Sequence, residues 1–454
     1  MRINKRYKLI LFILVFLSIG SFFFLKIQAF VRPNIILITV DALRSDHLSC
    51  YGYKRNTSPN IDRIGQEGIL FTQAISASSH TPPSIGTILT SNFPYVHSLV
   101  LWGDSIRKDI TTIAELLKSE GFLTIFIGGN QNFSKGLHGI NRGFDIFFEE
   151  ESKVNLITNK ALELINKSKN RPFFLWIHYM DAHSPYLPIP PYDRLFINDE
   201  FYDTKKSLPI VENFSDCYGY NGIPVFIATK KNGIDNPDYY VSQYDGAIRT
   251  IDTYIGMLIN RLKMLKIYNR TLIIISADHG EMLGEHGYFF HHGCFLYEEL
   301  IRIPLIINFP NLTHKIINTQ INAHLDIAPT ILDILKIRKA KTMIGSSLLP
   351  LILGKNRYPH KYVFVDEGVT KKCVRTDEWK LIYTNRSDKE EYELYNLKGD
   401  PQELNNLVSA EKEKFGFLKQ KLDDYKQVGP QNKKSKASLD EATQERLRSL
   451  GYLQ

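Results

Sequence analysis

Short β-branched runs alternate along this chain with longer stretches in which apolar residues recur every three or four positions. Asn34–Val40 (NIILITV) and residues 271–276 (TLIIIS) are short, mostly apolar β-branched runs, the pattern of strands buried on both faces. Residues 123–127, 172–178 and 303–309 read the same way. Residues 110–118 and 154–165 read as helices. Tyr244, Ile248, Ile251, Ile255, Leu258 and Leu262 mark another over about 239–265. Strands alternating with helices predict an α/β sandwich, a central mostly parallel sheet flanked by helices.

The rhythm breaks in three places. Residues 188–236 are rich in Pro, Tyr, Asp and Asn and read as a long insertion that follows a strand end, either a substrate-facing cap or surface decoration. Beyond about 355, short strands at 362–365 and 380–383 predict a small α+β subdomain over 354–408, followed by a charged helical tail over 409–454. At the other end, Arg2, Lys5, Arg6 and Lys8 precede an apolar run over residues 9–25. About 17–25 residues suffice to cross a bilayer, so residues 1–30 predict a basic cytoplasmic flank and an uncleaved, single-pass signal anchor. The remainder would then be extracytoplasmic; a cleavable signal is the alternative.

The 454 residues, 43% hydrophobic and 23% charged, are those of a globular protein with one large domain, here 33–353, and appendages. A net charge of +8 points to anionic partners. With no zinc finger, basic helix or aromatic-basic interleaving, nucleic acid is the least fitting of these. Cys50, Cys217, Cys294 and Cys373 are widely spaced without a CxxC pair and read as buried thiols.

Candidate chemistry gathers at strand ends. Asp278-His279 follows the 271–276 run and leads into Gly280, where a turn would leave room for a substrate. Asp41 ends the Asn34–Val40 run. If these strands are parallel neighbours, Asp41, Asp278 and His279 converge on one rim as a single-metal site with an open position. Residues 79–90 (SHTPPSIGTILT) have the shape of a turn entering a helix. A hydroxyl there faces backbone N–H groups and the positive dipole end, where a tetrahedral anion binds. Otherwise Thr81 or Ser84 is a plain N-cap.

Most of the chain, about 34–408, resembles the sulfatase family of the alkaline-phosphatase superfamily. The resemblance runs through Asp41-Ala-Leu-Arg44, Thr57-Ser-Pro59-Asn60, Thr81–Thr90, Gly143-Phe-Asp145 and His178-Tyr-Met-Asp181-Ala-His183. It continues through 278–287, Tyr297-Glu-Glu299 and Glu393-Leu-Tyr395 to Asp400-Pro401. It implies an alkaline-phosphatase-like sandwich and a metal-dependent ester hydrolase. Asp41, Asp278 and His279 match the family's metal ligands, and Thr81 falls at its nucleophile in the Cys/Ser-x-Pro-Ser-Arg motif, close enough to join them. His183 matches the histidine that contacts the transferred group or protonates the leaving oxygen. His291 and His292 fall near the basic residue that holds the ester, His292 being assigned to catalysis and His291 to substrate binding. Asn130 and Asn132 stand where a Lys and a His often occur, which makes Asn130 a further substrate contact.

Three positions depart from the family. Ala42 replaces a second Asp, Ile85 replaces the motif's Arg, and Thr81 replaces the Cys or Ser that matures to formylglycine. A branched β-carbon cannot become that aldehyde, so no formylglycine is expected. A threonyl ester must instead be cleaved at sulfur or phosphorus. One divalent ion is expected, Zn²⁺ or Mn²⁺ by the Asp/His mixture, with Ca²⁺ and Mg²⁺ also open. The substrate expected from the resemblance is an anionic sulfate or phosphate ester, carried by a lipid or glycan. The alternatives are a phosphotransferase of the phosphoethanolamine or glycerophosphate type and a non-catalytic binding protein that kept the fold.

Overall fold

The computed structural model describes residues 32–427 apart from 102, 130–137, 151–152, 213–219, 311, 356–357, 368–369 and 387–388. Its large sheet comprises β1 (Asn34–Val40), β2 (Ile69–Ile75), β3 (Leu123–Gly128), β4 (Ile146–Glu149), β5 (Phe173–Tyr179), β6 (Thr271–Ala277), β7 (Arg302–Asn308), β8 (Lys315–Ile317) and β9 (Ile321–Asn322). The order is β8-β2-β7-β6-β1-β5-β3-β4, with β9 also on β2. Every pairing is parallel except the two made by β7. β1, β5 and β6 are buried along their whole length, which is why they read as mostly apolar runs rather than alternating ones.

The antiparallel β7 has a local cause. Leu305 pairs with Ser276 and Arg302 with Ile75, so β7 starts at the rim where β6 and β2 end. Residues 278–301 therefore never cross the sheet and stay on that rim. The carboxyl ends of β1, β2, β5 and β6 all open there, and each supplies one segment of the site described below. Helices α1 (Pro59–Glu67), α2 (Thr81–Thr90), α3 (Ile113–Ser119), α4 (Val154–Ser168), α5 (Pro237–Met264) and α6 (Ala323–Ile334) flank the sheet. α1 and α4 pack on α5, while α3 and α6 pack on α2.

An antiparallel four-stranded sheet follows: β10 (Val363–Glu367), β11 (Lys371–Arg375), β12 (Trp379–Arg386) and β13 (Lys389–Asn396). It is covered by α7 (Lys412–Lys426) through Leu418, Leu422 and Tyr425. β10 is tied to the large domain where Asp366 N–H donates to the Ala77 carbonyl at 2.9 Å. Residues 188–236, where described, are mostly turns with the short helix Val225–Thr229. They are fastened to the rim, where Asn221 N–H donates to Gly287 O at 2.6 Å and Tyr220 bridges Tyr288.

The expected membrane placement is corrected. Among the described residues no helix is long and apolar enough to cross a membrane. Residues 9–25, on which a single-pass anchor and an extracytoplasmic site rested, lie outside them.

Two buried histidines make the fold acid-sensitive. His97 accepts from Leu99 N–H at Nδ1 (3.1 Å) and meets Thr87 Oγ1 at Nε2 (3.2 Å). His324 accepts from Ala77 N–H at Nδ1 (3.1 Å), so its Nε2 donates to Ala277 O (2.9 Å) and pins the approach to α2 against the end of β6. Burial pushes His97 down to about 3 and His324 down to about 4. The unfolded chain takes these protons first, near pH 6.5. Their stabilisation is thus whole above that pH and is lost as pH falls toward 4, at about 1.4 kcal/mol per pH unit for each ring. Tm should fall steadily over this window, and His97→Gln, which keeps one donor and one acceptor, should flatten the slope. Equal slopes for parent and variant would remove His97 from the account.

Candidate active site

The parallel register pairs Val40 with Ala277, so the next residues of the two strands, Asp41 and Asp278, emerge side by side. With His279 they form a fully buried group whose ligand atoms all lie within 4.8 Å of one another. His279 Nε2 is 3.5 Å from both Asp41 Oδ1 and Asp278 Oδ2, and neither of those buried oxygens has a hydrogen-bond partner. Asp278 Oδ1, by contrast, accepts from Ala42 N–H (3.2 Å) and His279 N–H (2.8 Å). His279 Nδ1 donates to the Gly280 carbonyl at 2.8 Å, which leaves Nε2 as the lone-pair nitrogen of the neutral ring. Two orphaned carboxylate oxygens facing one unprotonated imidazole nitrogen fit a divalent cation.

The electrostatics show the same crowding. Burial and the neighbouring Asp41 charge raise the Asp278 carboxyl above its usual range. Burial also pushes Asp41 upward, but the adjacent His178 ring and the other surrounding imidazoles outweigh it and hold that carboxyl well below the usual range. His279 is raised: burial opposes its charge, and the Asp278 and Asp41 carboxylates prevail.

Thr81 opens α2, six residues after the end of β2, and is 4% exposed. Its Oγ1 lies 3.2 Å from His279 Nε2 and 3.4 Å from Asp41 Oδ2. Neither Thr81 nor Ser84 caps the helix: His80 holds the N-cap position, and Ser84 Oγ donates to Ser78 O at 3.4 Å. The helix end offers an anion less than the sequence suggested, because Pro82 and Pro83 carry no N–H. Glu367 of β10 steadies the approach, accepting from Ser78 Oγ (2.6 Å), Ser79 Oγ (3.0 Å) and Ser79 N–H (3.2 Å).

Imidazoles form the outer wall. The His292 ring lies 4.2 Å from that of His279 and 4.8 Å, edge to face, from that of His183. His291 stands further back, 5.6 Å from His292. His292 Nδ1 faces Glu281 Oε1 at 3.1 Å, and His183 Nδ1 donates to Ser184 O at 2.7 Å. Each ring thus keeps its Nε2 for a ligand. Burial depresses His291 to about 4 and His292 well below the ordinary value, with the neighbouring imidazoles adding to both. Asn130 lies outside the described residues.

Several contributors were not legible as such. His178 sits on β5 with Nδ1 2.8 Å from Thr39 Oγ1, which also accepts from Trp176 Nε1 at 2.9 Å; His178 Nε2 is 3.6 Å from Asp41 Oδ2. Glu281 is fully buried between His292 and the Tyr186 hydroxyl (2.9 Å), and burial lifts it to about 7. An ionisable residue inside an apolar strand was the available signal for His178; for Glu281 and Glu367 there was none. Gly280 has another purpose than the expected turn, since a Cβ there would run into the Glu299 carbonyl. Of the departures, Ala42 is buried with a positive φ of 58°, and Ile85 is fully buried in the core.

Comparison with known proteins agrees with this arrangement. The sulfatase family profile matches residues 33–337, and the N-sulphoglucosamine sulphohydrolase C-terminal profile matches 284–427. The N-acetylglucosamine-6-O-sulfatase of Bacteroides thetaiotaomicron is 26% identical, over 89% of this chain and 88% of its own. The arylsulfatase of Clostridium perfringens is 25% identical, over 86% and 94%. A structure solved with its substrate D-glucosamine-2-N,6-O-disulfate superposes with a TM-score of 0.72 at 24% identity, covering 89% of this chain and all of that one. The phosphonate monoester hydrolase of Agrobacterium radiobacter gives 0.71 at 17%, covering 87% and 96%. With the fold and the strand-end acids on one rim, the chain belongs to the sulfatase family, as a sulfuric ester hydrolase.

Proposed function

We propose that this protein hydrolyses the sulfate ester of an anionic sugar with Thr81 as nucleophile and one divalent cation held by Asp41, Asp278 and His279. The observation that carries this reading is the position of Thr81 Oγ1, within 3.4 Å of Asp41 and 3.2 Å of His279 in a buried corner with two orphaned carboxylate oxygens. When bound, the cation would lower the pKa of the hydroxyl and neutralise charge on the ester oxygens. Asp41 Oδ2 accepts the Thr81 hydrogen bond and orients the hydroxyl toward the ester. The Oγ1–sulfur bond forms, with the Thr81 proton passing to Asp41 Oδ2, as the bond from sulfur to the sugar oxygen breaks; that oxygen takes a proton from His292 or His183, whose imidazolium form the negative charge of the bound ester favours. Glu281 orients His292 through Nδ1. Water then attacks sulfur, passing a proton to the ring that gave one, and Oγ1 recovers its proton from Asp41 as sulfate leaves. His291 lines the entrance as a substrate contact. The sugar follows from the amino-sugar sulfatases that the chain resembles along most of its length.

A second reading, hydrolysis or transfer at phosphorus, is favoured by Thr81 itself, an alkoxide nucleophile where the family carries an aldehyde precursor. Metal analysis of the full chain, with paired aryl sulfate, aryl phosphate and phosphonate ester substrates, separates the two. One divalent ion per chain and sulfate turnover are expected. Preference for the phosphorus esters by kcat/KM would select the second reading, and neither ester cleaved by metal-loaded protein would defeat both.

A further inference from the structure

The C-terminal sheet has two ends. Glu367 brings one to the approach of α2, while the register of Val363 with Arg375 and Trp379 with Asn396 sends the turn at 376–379 to the other. A cleft of about 590 Å³ opens at that far end, within the range of sites that take small ligands. Both parts of the chain line it: Gln320 ahead of β9, Tyr362 ahead of β10, Trp379, and Lys414 and Phe417 of α7.

Its walls set aromatic faces beside ammonium groups. Lys414 Nζ lies 5.4 Å over the Trp379 ring. Tyr362 and Phe417 are 6.3 Å apart, and Phe417 leaves 51% of its surface in water. Lys361 and Lys414 have no carboxylate partner among the described residues. Lys398 reaches Glu378 at 3.7 Å in a largely exposed pair, which contributes little. An inorganic anion would have no use for the aromatic wall, and a neutral sugar none for the lysines. Asp377 and Glu378 on the rim offer acceptors for sugar hydroxyls.

We propose that this cleft is a second, non-catalytic binding site for a linear anionic polysaccharide. Sugar C–H faces pack on Trp379, Tyr362 and Phe417, and sulfate or carboxylate groups pair with Lys361 and Lys414. A chain engaged here stays at high effective concentration near the same molecule, so long chains gain over single sugars without any new contact at Thr81. The choice of a sulfated sugar rests on the reading above, but the cleft's binding does not rest on turnover.

The test uses the full chain, heparin octasaccharide as probe and calorimetric titration. Lys361→Glu/Lys414→Glu and, separately, Trp379→Ala are each expected to weaken octasaccharide binding at least tenfold and leave aryl sulfate kcat/KM unchanged. The same charge change at the exposed Lys167 and Lys206 should leave affinity within twofold. Unchanged affinity in both cleft variants overturns the proposal, as does a DNA oligonucleotide of equal charge that binds as tightly and is lost in the same variants. If the parent cleaves no ester but the cleft variants lose the octasaccharide, the hydrolase reading fails and the cleft stands. Normal turnover with unaltered octasaccharide binding in the variants fails the cleft alone.

Discussion

Thr81→Ala is expected to lower kcat for an aryl sulfate by about three to six orders of magnitude, the range seen when an enzyme's covalent nucleophile is removed. The substitution is structurally mild. The side chain is 4% exposed and bonds only to groups of the site, so losing it empties a small polar volume and leaves α2, whose N-cap is His80, intact. Metal content should be little changed, because Asp41, Asp278 and His279 remain. Thr81→Ser, which keeps the oxygen and drops only the methyl group, should stay within about tenfold of the parent. Single-turnover measurement adds a direct check: the parent, but not the alanine variant, should carry sulfate on residue 81. Sulfate turnover that survives Thr81→Ala would end the nucleophile assignment and leave water, or another side chain, as the attacking group.

The strands and helices that build the rim were legible because their signals are local. A run such as Ile35–Val40, apolar but for Thr39, reads as a strand buried on both faces, and its neighbours β5 and β6 carry nearly the same signature. Asp41, Asp278 and His279 could be read together because each directly follows such a run, and the parallel register then aligns them. Direction was harder to read. The antiparallel β7 depends on residues 278–301 staying on one rim, a tertiary fact with no local trace. The contributors that escaped are those whose partners are distant. Glu367 is 286 residues past Thr81 and reaches the approach to α2 only because β10 docks beside Ala77. Glu281 looks like one more charged loop residue until it is seen buried against Tyr186 and His292. The Thr81 hydroxyl was visible, but Pro82 and Pro83 remove backbone donors expected beside it.

Asp278→Asn should abolish activity while making the metal-free protein more stable. The sign follows from where the charge sits. Burial and the Asp41 carboxylate hold Asp278 above the ordinary carboxyl range, so its ionised form opposes folding at neutral pH in the absence of a cation. Because this folded-state pKa is raised, the penalty is absent at low pH and grows as pH rises through and above the unfolded value near 4. Asparagine can keep its carbonyl oxygen toward Ala42 N–H and His279 N–H, the two bonds that Oδ1 accepts, and replaces the orphaned Oδ2 with a neutral donor facing Asp41. In chelator-treated samples the variant should therefore melt higher than the parent at pH 8, with the gap closing as pH falls toward 4. Adding the cognate divalent ion should reverse the order. Saturation at a hundredfold over Kd stabilises the parent by about 2.7 kcal/mol, whereas the variant, with about a hundredfold or greater loss of affinity, should respond only weakly. A variant that melts lower than the parent without metal would mean that the two carboxylates do not strain the empty corner. An equal metal-dependent rise in both proteins would place the ion elsewhere. Activity lost together with a gain in metal-free stability is the signature of acids held close for a cation rather than for the fold.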